Sequence, residues 1–95
     1  MQQVTGIAET SVALKPLIES AVRSELRMLE MGLERTRQRL RDFETQYGLG
    51  SDEFVRRYED GELSESLDFI EWTGEIQTYE LLLERQEALQ GAHVS

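Results

Sequence analysis

The sequence predicts an all-α fold: a long antiparallel helical hairpin with a short elbow helix, dimerising as a four-helix bundle or coiled coil. Two heptad seams and one glycine-punctuated elbow predict it. The first seam steps by four and three through Val22, Leu26, Leu29, Leu33, Thr36, Leu40, Phe43 and Tyr47. Seven of those eight positions are apolar or aromatic, and the mean spacing of 3.5 residues suits a helix lying along another helix. The second seam, Phe69, Trp72, Ile76, Tyr79 and Leu83, repeats the spacing, and its stripe drifts to Leu82 and Leu89 near the C-terminus. Between them, Gly48-Leu49-Gly50-Ser51 and Asp60-Gly61 break the pattern twice.

Residues 1–14 are ambiguous between an N-terminal arm and a short strand, because Thr10 to Leu14 could run extended and Pro16 disfavours helix at Lys15. The hairpin domain is expected over residues 15–90. Pro16 suits the first turn of a helix, where its missing N–H is not needed, so helix is predicted from Pro16 to Tyr47. Gly48 then stands where a C-terminal glycine belongs. Ser51 is expected to cap a short helix over Asp52 to Asp60, whose first turn carries two acids that suit the helix dipole. Gly61 stops that helix. After a serine-containing connector, the last helix is predicted to start between Ser66 and Asp68 and to end at Gly91, leaving residues 91–95 as a frayed tail.

Folding the two long helices back on each other puts Tyr47 near Phe69, Leu40 near Ile76 and Leu33 near Leu83. That register brings Arg37 and Arg41 close to Glu75 and Glu80. A 95-residue chain buries proportionally little surface, so a lone two-helix hairpin would be marginal and a partner chain is expected. Self-association is assigned to Val22, Leu26, Leu29, Leu33 and Leu40, the apolar face of the first helix.

Charge points to the kind of partner. The net charge is −9, unevenly spread. Between Ala21 and Arg41 six arginines face three glutamates, whereas twelve acids face three arginines between Ser51 and Glu87. An acidic back half repels phosphate and attracts basic protein surfaces. The arginines of Arg35-Thr-Arg-Gln-Arg-Leu-Arg41 alternate, which on a helix sends neighbours about 200° apart and lines no groove-facing edge. Direct nucleic-acid binding is therefore not expected. There are no cysteines, no basic leader followed by an apolar run, and no stretch near the roughly 18 apolar residues of a membrane span. A cytoplasmic protein is the natural reading.

No cofactor is expected, nor is catalysis. The carboxylates Asp68, Glu71, Glu75, Glu80 and Glu84 lie at helical spacing and invite comparison with helical nucleotide pyrophosphatases of the MazG type, which hold magnesium between acidic motifs on facing helices. The facing helix offers only Glu30 and Glu34, four apart, and the acidic quartet is not completed. The sole histidine, His93, lies in the tail. No nucleophile motif, phosphate-cradling glycine loop or zinc spacing is present. The acids are instead expected to bind protein: Glu71, Glu75, Glu80 and Glu84 as charges, with Trp72 and Tyr79 as aromatic anchors.

The elbow carries a resemblance. Phe43, Glu44, Tyr47, Gly48, Ser51 and Phe54, then Gly61-Glu62-Leu63, then Asp68, Phe69, Glu71 and Trp72 are similar to a pattern shared by small helical proteins of archaea, cyanobacteria and other bacteria. The similarity covers roughly residues 15 to 89. Many proteins of that group look like the antitoxin half of a toxin–antitoxin pair. The resemblance thus implies an antitoxin-like module that neutralises a basic partner such as a small nuclease toxin. The alternatives are a structural homodimeric scaffold or assembly protein and, more remotely, a magnesium-dependent nucleotide pyrophosphatase.

Overall fold

A computed structural model describes the backbone of residues 2–94 and the side chains of residues 14–91. The chain forms three helices, α1 (Gln2–Tyr47), α2 (Ser51–Glu59) and α3 (Leu67–Val94), with no strand among the described residues. α3 runs antiparallel along α1. The register is visible in three cross-pairs: Tyr47 against Phe69, Arg39 against Glu75 and Glu30 against Gln86. It is the register the two seams predict, because both stripes must face each other to leave water.

The ends of the helices differ from the sequence expectation in three places. α1 is helical from Gln2, so residues 2–14 are helix and not the short strand offered as one alternative for this stretch, and Pro16 lies inside α1. A proline there removes one helical hydrogen bond and costs roughly 3 kcal/mol, which leaves this part of α1 weak but not broken. At the other end, α3 passes through Gly91 to Val94. Glycine stops a helix when it turns left-handed, and only Gly48 (φ 63°) and Gly61 (φ 73°) do so among the described residues. At Gly48 the Leu49 N–H reaches back to the Glu44 carbonyl at 3.1 Å. At Gly61 the Glu62 N–H reaches the Arg57 carbonyl at 2.9 Å. Both are six-residue closures that satisfy otherwise orphaned carbonyls.

The third difference is Ser51. It is the first residue of α2 and not its cap; the capping position falls to Gly50, which offers no side chain. The orphaned Ser51 N–H is taken instead by the Glu44 carboxylate of α1 at 2.8 Å. This charge-assisted bond ties the elbow to the hairpin body. α3 does begin on a serine: Ser66 Oγ accepts the Phe69 N–H at 3.2 Å.

The core is concentrated at the elbow. Trp72 and Phe54 are fully buried and stacked, with ring centroids 3.9 Å apart and planes within 3°. Phe43 stacks on Trp72 at 5.4 Å, and Tyr47 and Phe69 close the cluster edge-on at 5.2 Å. The indole N–H donates to Ser51 Oγ at 2.9 Å, which accounts for the only polar atom of the Trp72 ring. Along the hairpin the buried positions are Leu29, Leu33 and Thr36. The Thr36 hydroxyl, the one polar member of the seam, donates to the Gly32 carbonyl on its own helix at 2.9 Å, so its burial leaves no unpaired group. Gly32 marks a close approach: a Cβ there would stand 3.3 Å from Leu82 Cδ1.

Candidate protein-binding surface

The six residues assigned to a partner do not form one surface. Glu71 and Glu80 are nine residues apart, about 900° of helical rotation, and so point to opposite sides of α3. Glu71 and Glu75 line one groove between α1 and α3, with Arg39, Asp42, Gln46 and Thr78 around a floor of Phe43 and Gly74. Its volume is about 530 Å³. Glu80 and Tyr79 line the other, on the side where α2 crosses the hairpin, and Glu84 is exposed one turn further on. Trp72 is enclosed in the elbow and offers no surface to a partner. A tryptophan in a small helical chain serves first as core, and here the core takes it.

The interhelical ion pairing also changes partners. Arg39, not Arg37 or Arg41, reaches Glu75, at 2.8 Å. Arg37 bonds Glu34 on its own helix at 3.0 Å and stands over the Tyr79 ring at 5.7 Å. Tyr79 first, and Glu34 second, hold its guanidinium above its ordinary pKa. Arg41 donates to Gln38 at 2.9 Å. The first groove therefore has its charges partly matched, Arg39 against Glu75 at 18% side-chain exposure for the carboxylate.

The second groove is different in kind. Leu40, Val55, Ile76 and Leu83 form its floor, and its rim carries Glu44, Asp52 and Glu80. No lysine or arginine is among the residues lining its roughly 450 Å³. Glu44 is committed to the Ser51 N–H, whereas Asp52 and Glu80 have no side-chain partner among the described residues. The sequence supplies both acids plainly, but the groove exists only because α2 folds back over the hairpin. What such a groove can do is accept an amphipathic segment, its apolar side on the floor and its cations on the rim.

The remaining charge of α2 is neutralised locally. Glu53 accepts from both Arg56 and Arg57, and these bonds, Arg56 foremost, pull its carboxyl down to about 2. Arg56 is raised in turn, chiefly by Glu53. A carboxylate whose pKa falls on folding adds stability above its unfolded value and loses it as pH drops through the folded one. The α2 cluster should therefore hold down to pH 4.5 and dissolve between there and about 2. Denaturation midpoints measured across that interval should fall less steeply in Glu53→Gln than in the native chain, with the difference shrinking in salt because the group is exposed. Identical slopes would show the cluster idle. At the hairpin end, the Tyr47 hydroxyl donates to Asp68, and this bond holds the phenol above its ordinary pKa.

The self-association residues are also redistributed. Leu29 and Leu33 are closed off against α3 inside one chain, and Val22, Leu26 and Leu40 are half-buried. The large apolar side chains left exposed on α1 include Leu14, Leu17, Ile18, Met28 and Met31. Among the described residues no cluster of three metal-ligating side chains forms, and no helix is long and apolar enough to cross a membrane. No family model, curated protein or solved structure matches this chain.

Proposed function

We propose that this protein is an acidic helical binding module, antitoxin-like in action, that occupies a basic polypeptide such as a small nuclease through the groove beneath α2. The observation that carries this reading is the groove's combination of an apolar floor with a rim of Glu44, Asp52 and Glu80 and no cation among its lining residues. A net charge of −9 would steer a basic partner toward the molecule before contact. An amphipathic helix of that partner would then seat its apolar face on Leu40, Val55, Ile76 and Leu83. Glu84, one turn beyond Glu80, extends the charge along the same side of α3.

The test is capture from the native host with the tagged chain, followed by native mass spectrometry. The native chain and Glu71→Lys should retain one stoichiometric basic protein, and Asp52→Lys with Glu80→Lys should lose it. Capture that survives the double reversal would overturn the assignment of the groove. Absence of any basic partner would overturn the function.

A further inference from the structure

We infer that α1 carries a second, self-complementary seam, through which two copies of the chain pair antiparallel about a two-fold axis between Ala21 and Ser24. The seam steps by three and four through Leu14, Leu17, Ala21, Ser24, Met28 and Met31. It lies about 100° around α1 from the buried one, since Met28 precedes Leu29 and Ala21 precedes Val22. It is open to solvent: Leu17, Met28 and Met31 are each about two-thirds exposed, at 65%, 65% and 66%.

The order of side chains names the occupant. Read from either end, the seam runs large, large, small, small, large, large. An antiparallel second copy then sets Leu14 against Met31, Leu17 against Met28 and Ala21 against Ser24, and each contact recurs by symmetry. The small pair at the axis lets the two backbones approach closely. The Ser24 hydroxyl accepts from Arg27 of its own helix at 3.2 Å and so has a partner when covered.

Two further observations agree. Gln86 bonds Glu30, so the end of α3 at Val94 falls opposite Val22, two turns further along. About twenty residues of α1, some 30 Å, therefore extend past the end of α3. A lone helix of that length with Pro16 inside it is marginal in water. Antiparallel pairing lays this extension along the body of the other copy. It also carries the two hairpin bodies to opposite ends, separating the α3 helices, each of which holds six acids against Arg85. Parallel pairing would set those acidic helices side by side. The seam lies about 120–160° around α1 from Leu40 and Glu44, so it is independent of the groove beneath α2.

Sedimentation equilibrium on the full chain tests this. The native protein should sediment at twice its 11.0 kDa mass. Leu17→Glu and Met28→Glu should each sediment as monomers, with far-UV circular dichroism confirming that the hairpin persists. Mixing Leu17→Lys chains with Met28→Glu chains should restore a heterodimer, because position 17 meets position 28 only in the antiparallel register. A native monomer, dimers that withstand both glutamates, or a mixture that stays monomeric would each overturn the inference.

Discussion

Trp72→Ala should destabilise the fold by about 3–5 kcal/mol, the cost of emptying a fully buried aromatic site. Domains of this size hold only about 5–15 kcal/mol in total, so this one change should remove a large part of it. The reason is the number of elements that meet on one ring. Trp72 belongs to α3, stacks on Phe54 of α2 and Phe43 of α1, and bonds Ser51 at the start of α2. Removing it unpins the elbow from both long helices. Trp72→Phe separates the two contributions. The stacking partners stay filled, and the lost indole N–H should cost about 1 kcal/mol, plus a smaller amount for the lost volume. Urea melts followed by far-UV circular dichroism give both values without needing the tryptophan signal. If Trp72→Ala melted within 1 kcal/mol of the native chain, the elbow would not be the seat of stability.

That concentration of contacts explains what the sequence makes legible here and what it hides. The two seams and their register can be read directly, because a 3.5-residue apolar period leaves each helix one way to bury its stripe, and the elbow glycines set where the chain reverses. The roles of individual polar side chains cannot be read in the same way. Ser51 precedes two acids and has the look of a cap, but Glu44 arrives from seven residues upstream to take that N–H and leaves the hydroxyl for Trp72. Arg37 and Arg39 stand about 200° apart on α1, so they flank the seam on opposite sides and Arg39 is the one that reaches Glu75. Matching residues only by their level along the hairpin, without their rotation about the axis, does not choose between them.

The candidate site divides along the same line. Opposition of Glu71 and Glu80 follows from their nine-residue separation and was available from spacing alone. The groove that holds Glu80 was not, because its walls come from three helices and its floor combines Leu40, Val55 and Ile76, residues far apart in sequence. Trp72 is of a residue type common among interface anchors, but its place on the α3 seam also points inward, and the packing of Phe54 and Phe43 on it decides for the core. In each case local pattern fixes the helix and tertiary contact decides the use of the side chain.

Leu33 carries the second large expectation. It is fully buried at the middle of the hairpin, and Leu33→Ala should cost about 2–5 kcal/mol. Heptad spacing suits pairing within a chain or between chains, and the sequence reading gives Leu33 both roles; in the structure it is buried within one chain. The two roles differ in how they respond to dilution. A contact between copies loses its contribution as the dimer dissociates, so the effect of Leu33→Ala would fade at low protein concentration. A contact inside the hairpin destabilises by the same amount at every concentration. Met31, exposed on the neighbouring face, makes the opposing control: Met31→Ala should leave the melt of dilute protein within about 0.5 kcal/mol of native and act only where copies associate. Urea melts of both variants across a wide concentration series therefore assign each seam to its partner. A Leu33→Ala deficit that vanished on dilution would mean that this leucine holds two chains together and not one.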